Sequence, residues 1–193
     1  MRQYAAGRSD ITVTSFTHSW VQPSTIVRIA GATNPTGPVT IIGAHMDSIN
    51  QSSPTSGRAP GADDDGTGTV NLLEIFRVLV ASGFKPSSPV EFQWYAGEEA
   101  GLLGSQAIAS SYKSANKAVK AMLQLDMTGY FKPGTAEKVT FMTDYTDAGL
   151  TSFAQSLVTN YLSIGYQTGT VSLLYFIQVK PGLTVHSVRI RLL

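Results

Sequence analysis

A chain of 193 residues with 42% apolar content is long enough for one domain with a true core. Charged residues reach only 14% against a usual value of about 25%, the formal net charge is +1, and Lys and Arg form no stripe, which argues against nucleic acid as a partner. Cysteine is absent, so thiolate metal sites, thiol nucleophiles and disulfides are excluded, and any metal must be held by His and carboxylates.

Met1–Ala6 carries Arg2 but no apolar run of signal-peptide type. No apolar stretch approaches the roughly 20 residues of a membrane span, so a soluble chain without a membrane partner is expected. Residues 10–16 and 25–29 alternate apolar and polar positions and predict strands of an exposed or edge region. Residues 38–44 (PVTIIGA) are apolar and β-branched, as in a strand buried on both faces. His45 and Asp47 follow at once. A His can give one ring nitrogen to a metal while an acid holds the other, although a core His beside a capping Asp explains the same letters.

Residues 50–61 are rich in Ser, Pro and Gly and predict a surface loop. Asp63, Asp64 and Asp65 come next, flanked by Gly61 and Gly66. Three successive carboxylates repel one another unless a cation is present; helix capping accounts for one Asp and at most two. Val70, Leu73, Phe76, Leu79 and Val80 then predict a helix over residues 69–82, stopped at Gly83 and Pro86.

Residues 90–96 (VEFQWYA) predict a buried strand that delivers Glu98 and Glu99. Paired acids are common on solvated helices, but after a buried strand one can ligate while the other acts as a base. Residues 102–114 predict a helix and 119–127 a third core strand carrying Asp126, an acid costly to bury without a partner or a cation. A hydrogen-bonded structural Asp is the alternative there. Residues 139–143 predict a short strand, and Asp147 opens a helix to about Tyr161. Strands alternating with helices give a three-layer α/β fold, a mostly parallel sheet with helices on both faces. Polar groups then gather beyond the C-terminal strand ends. Four such clusters describe one pocket of O and N ligands suited to zinc, cobalt or manganese.

The ordered set His45-x-Asp47, Gly61–Gly68 (GADDDGTG), Glu98-Glu99 and Leu125–Thr128 (LDMT) resembles the M28 zinc aminopeptidases, particularly secreted leucine-type enzymes of fungi and bacteria. Residues 101–105 (GLLGS) and 141–147 (FMTDYTD) fit the same pattern, and the resemblance covers residues 10–163. It implies two Zn2+ ions bridged by Asp64. His45 and Asp126 would hold one ion and Glu99 the other, with Asp47 orienting the His45 ring. Glu98 would be the general base, and the Asp64–Asp65 peptide would be cis. Peptides with a free N-terminus would be the substrates of a monomeric, extracellular enzyme.

The family's final His ligand lies in a Cys-Gly-Tyr-x-Cys-Ser-Asp-His segment that has no counterpart after Tyr161. His186, in the alternating stretch 183–192, is not expected to replace it, and His18 is expected to be structural. The expectation is therefore an incomplete peptidase core at residues 1–170, short at both ends, with a divergent tail at 171–193 that leaves a sheet edge uncovered. Such a chain would hold at most one Zn2+ tightly and have impaired activity. A catalytically dead metal-binding protein and a single-zinc glutaminyl cyclase are the alternatives.

Overall fold

The computed structural model describes residues 1–170 and 186–192. Three helices and eight strands occur among them: β1 (Ile11–Phe16), β2 (Ser24–Ile29), β3 (Val39–His45), α1 (Gly66–Ala81), β4 (Val90–Tyr95), α2 (Leu103–Ser114), β5 (Val119–Leu125), β6 (Lys138–Met142), α3 (Ala148–Tyr161), β7 (Gly165–Gly169) and β8 (His186–Leu192). The strands form a single sheet in the order β1-β2-β4-β3-β5-β8-β6-β7. β4, β3, β5 and β8 run parallel, while β1, β2 and β6 meet their neighbours antiparallel at three places. The expected mostly parallel α/β sheet is present.

Both faces are covered. On one side Leu72 and Phe76 of α1 pack on Val27, Ile29, Ala44, Phe92 and Trp94. The Phe76 and Phe92 rings meet edge-on at 5.3 Å. Burying such a ring stabilises the fold by about 1.5–3 kcal/mol. α3 lies on this same side, because Leu123 packs against both this cluster and the one holding Val158. Opposite them, Ile108 and Tyr112 of α2 cover Ile26, Val39, Ile41 and Tyr95. Glu91 is buried there at 1% exposure, and it accepts hydrogen bonds from Arg28, Gln93, Tyr112 and Lys117. Those charge-assisted bonds outweigh burial and hold its carboxyl below the ordinary Glu range. No helix among the described residues is long and apolar enough to cross a membrane.

Four expectations need correction. Of β1 and β2, β1 alone lies at the sheet edge; β2 is paired on both sides. The buried line of α1 is Gly68, Leu72 and Phe76, whereas Val70 is 60% exposed. β7 was not expected at all. Finally, β8 fills the place between β5 and β6, so no sheet edge is left open beside β5. Of the expected tail at 171–193, residues 171–185 and 193 lie outside the described residues.

Candidate metal centre and active site

The parallel strands β3, β4 and β5 all end at the same edge of the sheet, and each hands its chain to an acidic turn there. His45, the last residue of β3, is 1% exposed. Its Nδ1 lies 3.0 Å from the backbone carbonyl of Asp47 and 3.8 Å from that residue's carboxylate. Nδ1 must carry the hydrogen, because a carbonyl can only accept, and this turns Nε2 inward toward the acids. Asp64 Oδ1 stands 3.1 Å from Nε2 and Glu98 Oε2 stands 4.0 Å away.

One ligand atom from each of His45, Asp64 and Asp126 falls within 4.8 Å of the others. A ring nitrogen and two carboxylates at that spacing fit a divalent cation such as zinc. The charge balance agrees. Burial lowers the His45 pKa, but the hydrogen bond to Asp64 and the charges of Glu98, Asp65 and Asp126 override it and push it up to about 10. A cation would answer the same field in place of the proton. Burial also raises Glu98, to about 7, with Asp126, Glu99 and Asp47 adding to it against the pull of His45. Glu99 is raised as well, by burial and then by Asp64. Its carboxylate is not part of the three-residue group.

Asp47 differs from expectation in the atoms it uses. Its carbonyl faces the His45 ring, while its carboxylate accepts the N–H groups of Glu98 and Glu99, each at 3.0 Å. It thereby ties the end of β3 to the turn after β4. The expected cis peptide bond between Asp64 and Asp65 is present, but sequence reasoning gave the Asp65 side chain no role. Asp65 caps α1 by accepting from Gly68 N–H at 3.0 Å. It also accepts from His45 N–H at 3.1 Å and from Met127 N–H at 3.0 Å. One buried carboxylate thus joins the three segments that carry His45, Asp64 and Asp126. Its place directly before a helical run was the available signal. Burial, then the charge of Asp126, raise its pKa to about 8 against the pull of His45 and of those N–H donors. Asp63 faces elsewhere, accepting from the Thr67 hydroxyl at 2.7 Å and Gly129 N–H at 2.9 Å.

His18 is structural, as expected: its Nε2 lies 2.7 Å from Ser24 Oγ and its ring stacks on Trp20. His186 pairs with Ala121 in the parallel β5–β8 ladder, which puts its backbone five residues, or roughly 16 Å, from the Asp126 end.

Residues 24–175 match the model of peptidase family M28. Leucine aminopeptidase 1 of Aspergillus clavatus is 50% identical over 169 residues, covering 83% of this chain and 43% of that protein. The protein of the same name from Paracoccidioides brasiliensis is 50% identical over 163 residues, covering 80% and 41%. The chain spans less than half the length of these relatives. Among solved structures, the LapA aminopeptidase of Legionella pneumophila superposes with a TM-score of 0.84 at 30% identity, covering 98% of this chain and 50% of that one. The zinc aminopeptidase BSAP of Bacillus subtilis shares the fold, with a TM-score of 0.66, 20% identity and coverage of 89% and 40%. With the match running from β2 past β7 and taking in every acidic turn of the site, the chain belongs to peptidase family M28.

Proposed function

We propose that this chain is the core of a zinc-dependent aminopeptidase, acting outside the cell as a monomer on peptides with a free N-terminus. The observation that carries the reading is the inward-facing His45 Nε2 grouped with Asp64 and Asp126, with Glu98 at its side but outside the ligand group. The names of the relatives, leucine aminopeptidases among them, and the zinc named for BSAP support it.

In this reading His45, Asp64 and Asp126 would hold one ion, and Glu99 with the shared Asp64 would make a weaker second position. A divalent cation supplies Lewis acidity there, polarising the scissile carbonyl and making water more acidic. The protein's own part is positioning and proton transfer. Asp47 fixes the His45 tautomer through its carbonyl and holds the Glu98–Glu99 backbone through its carboxylate. Glu98, beside His45 but outside the ligand group, takes a proton from the attacking water and returns it to the leaving amine. Glu99 and the shared Asp64 would attract the substrate's ammonium group, which would favour peptides with a free N-terminus.

The ligand count favours a second reading, metal binding with little turnover, because among the described residues only one position has three protein ligands. Elemental analysis after gel filtration, paired with an amino-acyl anilide assay, separates the two. We expect about one zinc per chain and weak turnover that Glu98→Gln abolishes without changing metal content. Two zinc ions with ordinary turnover would overturn the ligand count, and activity in Glu98→Gln within tenfold of the parent would overturn the base.

A further inference from the structure

The turn that carries Glu98 and Glu99 is held from three directions, and the ligand cluster accounts for only one of them. From the front, the Asp47 carboxylate takes both acidic residues' N–H groups. From behind, the start of α2 closes on it: Leu103 N–H donates to the Gly97 carbonyl at 2.9 Å, and Gly101 and Leu102 N–H donate to the Glu98 carbonyl at 2.9 and 2.7 Å. The third support comes from residues 16–24, the end of β1, its connection to β2 and the first residue of β2, which lie far away in sequence.

There Ser24 Oγ accepts from Ala96 N–H at 3.0 Å, immediately before the turn, and is contacted by His18 at 2.7 Å. The His18 ring lies parallel to Trp20 with centroids 4.1 Å apart, and Phe16 sits 5.2 Å from His18 on another side. Trp20 in turn lies beside Gly97, on the side where a side chain would project. A Cβ built at Gly97 would stand 3.3 Å from Trp20 Cζ2 and 3.5 Å from both Cε2 and the Leu103 Cβ. Gly97 has φ +67°, a backbone state that only glycine adopts without strain, and it is the residue that reverses the chain from β4 into Glu98. Trp20 Nε1 and His18 Nδ1 make no hydrogen bond among the described residues, so in this stack the rings act through their faces.

We propose that Trp20, seated by His18, which Ser24 holds, is a positioning residue for the Glu98–Glu99 turn: its ring closes the space beside Gly97 and so limits the turn to the conformation that aims the two acids at the His45 cluster. The inference rests on reading Glu98 as the base and Glu99 as a ligand. The physical reason is that a turn with a glycine at positive φ has no side chain of its own to limit its backbone. Order must come from outside, and a flat indole backed by a second ring supplies it at small cost in rotamer freedom. Misplacement of a catalytic group by about 1 Å can cost on the order of a hundredfold in rate, so a brace this close to the base bears on function and not only on folding.

Residue-resolved amide exchange tests this directly, because the Glu98 and Glu99 N–H groups report the turn while the Phe92 N–H, inside the ladder of β4, reports the sheet. In Trp20→Ala we expect exchange at Glu98 and Glu99 to rise at least tenfold relative to Phe92. Trp20→Phe, which keeps a flat ring, should stay within about threefold of the parent. Should Trp20→Ala not fold, Trp20→Leu is read in the same way. A parallel rise at all three amides would mean that the ring merely stabilises the domain, and no rise would mean that it does not brace the turn. Either result overturns the proposal. Zinc titration of the parent keeps the underlying reading separate. If the parent binds no zinc, the metal-site reading fails, while the exchange ratios still decide whether Trp20 orders the turn.

Discussion

Replacing Asp65 should do more damage than replacing any other acid of the triplet. Its buried carboxylate, 2% exposed, is the acceptor for three backbone N–H groups on three segments: Gly68, His45 and Met127. In Asp65→Ala all three donors lose their acceptor in a site without a substitute. Each such loss costs about 1–3 kcal/mol, so the total is roughly 3–6 kcal/mol after partial relaxation. A domain of this size is stable by about 5–15 kcal/mol, so the variant should sit near the edge of folding. Asp65→Asn is milder. One amide oxygen can keep Gly68 and Met127 as partners, while its NH2 group faces the His45 N–H, for a loss of about 1–3 kcal/mol. Urea unfolding followed by far-UV circular dichroism and by Trp fluorescence measures both, with the midpoint falling at unchanged slope. An Asp65→Ala protein within about 1 kcal/mol of its parent would show that this carboxylate does not hold the site's backbone together, and the account of how three strand ends become one site would fail.

Two further predictions follow from the same acids. Asp64 faces His45 whereas Asp63 is turned toward Thr67 and Gly129, so Asp64→Asn should weaken zinc binding at least tenfold more than Asp63→Asn; equal losses in a zinc titration would mean that the wrong acid has been assigned. The second concerns pH in the presence of a chelator. Asp65 and Glu98, raised to about 8 and 7, keep protons when folded that the unfolded chain has released above about pH 4, so stability falls as pH rises through that window. His45, raised to about 10, adds stability below its unfolded value of 6.5 that is lost between there and pH 10. Urea midpoints in chelator should therefore fall from pH 5 to 9, and added Zn2+ should reduce that fall because its affinity grows as the ligands deprotonate. A flat or rising profile in chelator would refute the assigned shifts.

What the sequence by itself determined is the local pattern. The β-branched run before His45, the apolar run before Glu98 and the helical spacing after the Asp triplet are each written within a dozen residues, and all three became elements close to where they were expected. The order of acidic motifs was legible for the same reason. Tertiary structure decided the matters that depend on distant partners. β7 has two glycines in five residues and exists because β6 offers it a parallel neighbour across α3. The orientation of α1, with Leu72 inward and Val70 outward, was set by packing against the cluster around Phe92, since helical spacing alone leaves a wide arc of acceptable faces. The division of labour among acids was settled the same way. Asp47 serves backbone amides 51 and 52 residues away, and Asp65 joins segments 20 and 62 residues apart. A carboxylate's letter states that it needs partners, and only the fold brings those partners within hydrogen-bond reach.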